Sequence, residues 1–392
     1  MAFGTSHSLW SYLALSCAFP TIFATPFSRD RNELRLNQVQ VIGTHNSYHI
    51  EPTLAERPLI ESVVSLTTAQ DLYYSHATIS DQLTFQSMRG LEFDLFADSK
   101  GGLYTSPLAR NLSNLPFPDV PALALPGTKV LHIADVDVSS RCFTFVDCLT
   151  QVRTWSKANK GHTLIPIMLE FNTQDPAIAA LGGTPGEPWN ITNIPTVDIE
   201  IRSVFSDDEL ITPDDIRRPG LTLEQSVLQN GWPTQRSAKN KVMFLMDNDP
   251  VPGIIRNPYR ANGHENLEGR AIFTNSVPGE SDGAFLKRND PTGDNLKLIQ
   301  DLVKKGYFVR TRSDVPIRTV LENSFVMRDA ALASGAQLIS TDFPTVGMAA
   351  RYNSTFVARL EDGKMVRCNP VIGGRRCRDE KLERLEKRKS DL

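Results

Sequence analysis

Eight short runs rich in β-branched and aromatic residues recur along the chain, at 38–43, 90–96, 129–134, 164–171, 242–246, 271–275, 307–311 and 337–341. Many are continuously apolar rather than alternating, the pattern of parallel strands covered on both faces. Helical candidates lie between several of them, at 145–158, 295–305 and 320–334. Strands and helices in this order predict an α/β fold, a (β/α)8 barrel of the TIM type, irregular and interrupted by long loops. Its chemistry would gather at the C-terminal ends of the strands. The length of 392 residues would allow two domains. Such barrels, however, occupy about 250 residues or more as one unit. A single domain over 30–370 is therefore expected.

Four of the runs finish on residues that bind metals or move protons: Thr44-His45-Asn46, Glu92-Phe93-Asp94, Leu131-His132 and Met168-Leu169-Glu170. One histidine after a strand is commonplace. Two imidazoles, three carboxylates and an amide from four successive strand ends describe one pocket. Asn46, Glu92, Asp94 and Glu170 form an all-oxygen donor set, which suits a hard cation, Ca²⁺ with Mg²⁺ as the alternative. Such an ion would offset charge building on phosphoryl oxygens, and His45 and His132 titrate close to working pH. The set suits phosphodiester cleavage.

The segments Val41-Ile-Gly-Thr-His-Asn-Ser-Tyr48, Arg89-Gly-Leu-Glu-Phe-Asp-Leu95, Val130-Leu-His132 and Ile165-Pro-Ile-Met-Leu-Glu170 resemble the calcium-dependent phosphoinositide phospholipases C, within the wider group of barrel-shaped phosphodiesterases. The resemblance runs from about 37 to 345. It implies that His45 and His132 are catalytic and that Asn46, Glu92, Asp94 and Glu170 hold calcium. It further implies attack of the inositol 2-hydroxyl on the adjacent phosphorus, releasing diacylglycerol and a cyclic inositol phosphate. By the family pattern His45 serves the phosphoryl transition state and His132 the leaving alkoxide. The base is Glu92, Glu170 or His45.

One run departs from that pattern. Where phosphoinositide-selective members carry lysines, Lys241-Val-Met-Phe-Leu-Met-Asp247-Asn248 ends in an acid and an amide. This favours plain phosphatidylinositol or another small polar headgroup. Arg310 and Arg312 are candidates to clamp a phosphate, because the guanidinium fork matches its oxygens, and Asp247 to meet headgroup hydroxyls. Asp342 is a further candidate for the rim or for supporting a ligand. His49 reads as a supporting or surface residue, and His76, His162 and His264 as ordinary loop histidines.

A net charge of -3 gives no reason to expect nucleic acid. No zinc-ligand spacing and no Gly-rich nucleotide loop is present. Residues 1–24 read as an export signal, with an apolar stretch too short for the roughly 20 residues of a spanning helix. Cys17 would leave with it, and Cys142 with Cys148 and Cys368 with Cys377 form two close pairs suited to local disulfides. Asn111-Leu-Ser113, Asn190-Ile-Thr192 and Asn353-Ser-Thr355 are glycosylation acceptors, consistent with secretion. Residues 371–392 form a charged tail that, after Cys377, reads as solvated. Expected partners are a phospholipid or inositol phosphodiester and, transiently, a membrane surface, met by a monomer. A glycerophosphodiester phosphodiesterase and a non-catalytic lipid- or sugar-binding barrel are the alternatives.

Overall fold

The computed structural model describes Met1 and residues 33–385 apart from position 174. The expected export signal, with Cys17, lies outside the described residues, as do 386–392. The chain divides into Met1–Glu33 and Leu34–Leu392, and the fold belongs to the second.

Among the described residues ten strands form two sheets: β1 (Val39–Thr44), β2 (Leu91–Phe96), β3 (Lys129–Val130), β4 (Ile165–Asn172), β5 (Val242–Met246), β6 (Ile272–Phe273), β7 (Phe285–Lys287), β8 (Phe308–Arg312), β9 (Leu338–Thr341) and β10 (Arg367–Cys368). Their orders are β10-β1-β9-β8-β7 and β3-β2-β4-β5-β6. Single parallel bridges, Gly43 with Gly90 and Asn275 with Phe285, join the sheets at both seams. Eight parallel strands thus follow one another in an irregular ring, and β3 and β10 pair antiparallel outside it. A side chain at the first seam is excluded sterically: a Cβ on Gly43 would lie 2.6 Å from the Gly90 carbonyl carbon.

The ring differs from the expected one at two places. The run at 129–134 supplies only two strand residues, antiparallel to Leu95 and Phe96, and takes no place in the ring. That place goes to Phe285–Lys287, three residues too short to show a period. The expected helix at 320–334 is two helices, Arg318–Leu321 and Val326–Ser334.

Between β3 and β4 the helix Phe145–Ala158 begins at Thr144, whose side chain accepts the Asp147 amide. It buries Leu149 and Val152 completely. Each such side chain contributes roughly 1.5–3 kcal/mol. Both predicted disulfides are present, Cys142–Cys148 and Cys368–Cys377.

Residues 378–385, the described part of the segment after Cys377, are not all solvated as expected. Leu382 is buried and joins the main core. Glu383 takes the fully buried Arg89 Nε at 2.9 and 3.0 Å and the Thr163 amide at 2.9 Å. Arg89 and Thr163 directly precede β2 and β4, so this segment closes the end of the barrel opposite the site. A buried guanidinium demands a partner, and the tail supplies it.

Candidate active site

Alternation along β2 puts Glu92 and Asp94 on one face, and the parallel register sets Asp94 beside Glu170 of β4. One oxygen from each of Glu92, Asp94 and Glu170 lies within 4.8 Å of the others. After β1 the chain turns at Asn46, whose φ of 47° is a left-handed conformation that asparagine tolerates better than most residues. The turn is fixed to β2 by the Ser47 amide on the Glu92 carbonyl and by the Glu92 amide on Ser47 Oγ, at 3.0 and 2.8 Å. Asn46 Oδ1 and Asp94 Oδ1 are buried with no hydrogen-bond partner.

Glu92, Asp94, Glu170, Asp247 and Asp342 bring five carboxylates to the barrel mouth, and Arg310, Arg312 and Lys287 bring three permanent cations. Lys287 Nζ lies 2.7 Å from Asp247 Oδ2, Arg310 2.8 Å from Glu92 Oε2 and Arg312 3.0 Å from Asp342 Oδ2. Among the described residues Asp94 and Glu170 form no ion pair, although His45 and Lys287 lie near enough to Glu170 to favour its charge. Burial, with the charges of Glu170 and Glu92, pushes the Asp94 carboxyl well up. Burial, with Asp247 and Glu92, pushes Glu170 up to about 7. Orphaned buried acceptors and excess negative charge fit a divalent cation held by Asn46, Glu92, Asp94 and Glu170.

The imidazoles are oriented by other acids. His45 Nδ1 lies 2.8 Å from Asp342 Oδ1, and its Nε2 is 3.4 Å from an Arg312 nitrogen and 3.6 Å from Glu92 Oε1. Burial would raise Asp342, but His45 and Arg312 outweigh it and hold the carboxyl far below its ordinary range. His132 Nδ1 lies 2.7 Å from Asp137 Oδ2, and among the described residues its Nε2 has no hydrogen bond. Burial opposes the charged imidazole, yet Asp137 and then Glu170 raise His132 above its ordinary value.

His132 reaches the site from an unexpected element: not a barrel strand, but the chain just after β3, running back from Phe96 toward Asp94. Arg310 is buried, its guanidinium donating to Glu92, Asn289 and Ser340 Oγ, so it braces the barrel interior rather than reaching out to a phosphate. Arg312 sits against His45. Asp247 bonds Lys287 through Oδ2, and its Oδ1, with no hydrogen bond, lies 3.9 Å from an Arg310 nitrogen. Asp137 and Lys287 were missed by sequence reasoning: Asp137 stands in an aperiodic loop, and Lys287 ends the unrecognised β7. His76 is no ordinary loop residue, since it is buried with Nε2 2.8 Å from the His45 carbonyl oxygen. Burial lowers it to about 4.

Residues 34–370 match the family described as phosphoinositide phospholipase C, Ca²⁺-dependent. The chain belongs to that family. It is therefore a phosphoric diester hydrolase acting on phosphoinositide-type lipid. A calcium-dependent phosphoinositol-specific phospholipase C from a Pseudomonas species shares the fold at a TM-score of 0.50 and 15% identity, over 86% of this chain and 95% of that one. A Ca²⁺-dependent phosphatidylinositol-specific phospholipase C from Streptomyces antibioticus aligns at a TM-score of 0.45 and 15% identity, over 82% and 98%. No curated protein matches.

Proposed function

We propose that the protein is a secreted phospholipase C that cleaves unphosphorylated phosphatidylinositol to diacylglycerol and cyclic inositol phosphate, with Ca²⁺ held by Asn46, Glu92, Asp94 and Glu170. The observation that carries the reading is the pairing of orphaned, partnerless acceptors at Asn46 and Asp94 with two imidazoles whose Nδ1 atoms are already engaged. A cation bound there supplies charge neutralisation for the phosphoryl oxygens and for the ionising 2-hydroxyl.

His45, fixed through Asp342, presents Nε2 to the phosphoryl group beside Arg312. His132, fixed through Asp137, delivers its Nε2 proton to the departing diacylglycerol oxygen. The inositol 2-hydroxyl gives its proton to a carboxylate of the donor set, Glu92 or Glu170, as it attacks the phosphorus to which it is tethered; the tether removes several kcal/mol of entropic cost, so no protein nucleophile is needed. Arg310, Arg312 and Lys287 are each paired with a carboxylate, leaving none of the three free for ring phosphates. This supports a plain inositol headgroup.

Exposed aliphatic side chains follow several parallel strands on the active-site side: Leu54 after β1, Leu181 after β4, Val251 and Ile254 after β5, and Val346 after β9. They support transient seating of a monomer on a bilayer. Tyr73 and Tyr74, in the long connection between β1 and β2, pack inward. The disulfides, and exposure of Asn111, Asn190 and Asn353, support a secretory route. Among the described residues no helix is long and apolar enough to cross a membrane.

Turnover of phosphatidylinositol vesicles with Ca²⁺ or with chelator tests the reading. Calcium-dependent release of diacylglycerol with cyclic inositol phosphate is expected. Glycerol phosphate from a deacylated diester, or binding without turnover, would overturn it.

A further inference from the structure

His49 is completely buried, and its Nε2 lies 2.7 Å from Asp137 Oδ2, the same oxygen that His132 Nδ1 reaches at 2.7 Å. One carboxylate oxygen thus serves two imidazoles. The rings of His49 and His132 meet edge to face at 5.3 Å, and Tyr74 lies 4.5 Å from His49 on another side. His49 Nδ1 and Asp137 Oδ1 have no partner.

Two histidines and an aspartate this close also describe a zinc site. The distances decide against it. Zinc holds its ligands at about 2.0–2.2 Å, so neighbouring donors in a tetrahedron stand roughly 3.3 Å apart. Separations of 2.7 Å fit a proton between nitrogen and oxygen.

Two imidazoles can share one oxygen only as donors. His49 then carries a hydrogen on Nε2, and its buried Nδ1 is left without a hydrogen-bond partner. We propose that His49 is a positioning residue for the phosphodiesterase reaction: by occupying part of Asp137 Oδ2, it orients that carboxylate toward His132 and limits how strongly it holds the His132 proton. The inference rests on the function proposed for His132. Removing the His49 donor would leave the carboxylate charge to His132 alone, so His132 would hold its proton more tightly. Besides Asp137 and His49, His132 feels the acids Glu170 of β4 and Asp342 after β9, both untouched by changes at His49.

The test is a nitrogen-15 NMR titration of His132, with the pH profile of kcat, in wild type, His49→Phe and His49→Gln. Glutamine keeps an N–H donor for Asp137; phenylalanine does not. Expected for His49→Phe is an upward shift of the His132 midpoint by about one pH unit, with the matching limb of the kcat profile displaced and KM unchanged. His49→Gln should restore both. An unmoved midpoint in His49→Phe, with only a lower Tm, would reduce His49 to packing. Should that variant fail to fold, the wild-type spectrum decides. A hydrogen on His49 Nε2, bonded to Asp137, is expected, and a His49 with its hydrogen on Nδ1 alone overturns the proposal. The titration needs no substrate, so a moving midpoint without phosphatidylinositol turnover would sink the proposed function and leave this linkage standing.

Discussion

Two sets of buried carboxylates share the barrel mouth and are held in opposite states. Asp137 and Asp342 each have an imidazole 2.7 or 2.8 Å away. Burial acts to raise both, but the histidines overcome it, and Asp137 falls to about 2. Asp94 is buried and Glu170 partly so, and after burial the charges that weigh most on each are those of other acids, so both rise. Burial is common to the two sets, so the difference lies in the partner. An acid with an imidazole is a finished structural unit; an acid facing acids is an unfinished one, which a divalent cation completes.

The largest expected effect lies in the finished units. His45→Ala or His132→Ala should lower kcat by about a hundredfold or more, the scale of lost general acid–base catalysis, with calcium affinity nearly unchanged. Steady-state kinetics with a calcium titration checks both halves, and a large change in calcium affinity would dissolve the division between the sets. Next comes Asp94→Asn, which removes a ligand charge from the unfinished set. The calcium concentration for half-maximal activity should rise by about tenfold or more, while kcat at saturating calcium falls less than in the histidine variants. An unmoved calcium response would place the ion elsewhere.

The smallest effect is on stability, where the sets should oppose each other with pH. Glu170, at about 7 in the fold against 4.5 ordinarily, contributes stability that is full below pH 4.5 and lost as pH rises through 7. Asp137, lowered from 3.8, contributes stability present above pH 3.8 and lost as pH falls through about 2. Chelated protein should therefore lose a few degrees of Tm between pH 5 and 8. Calcium should restore more at pH 8 than at pH 5, and calorimetry with and without chelator would expose a flat response.

The donor set was legible in the sequence because its residues obey local rules. Glu92 and Asp94 alternate along a strand, Glu170 ends another, and His45-Asn46 follows a third. His132 was recognised by type, although its strand proved an antiparallel stub. What sequence could not show is tertiary. Asp342 and His45 are separated by 297 positions yet share a hydrogen bond, and nothing local marks His49 and His132 as sharing Asp137. β7 escaped notice because three residues show no period. The tail looked solvated because its charges are dense, whereas Leu382 and Glu383 answer a hydrophobic gap and a buried arginine beneath the barrel.

A crystal structure of the calcium-soaked protein, with anomalous scattering to locate the ion, tests the central claim most directly. The account predicts one ion with oxygens of Asn46, Glu92, Asp94 and Glu170 about 2.3–2.6 Å away. Calcium bound elsewhere, or that pocket still without an ion at saturating calcium, would contradict it.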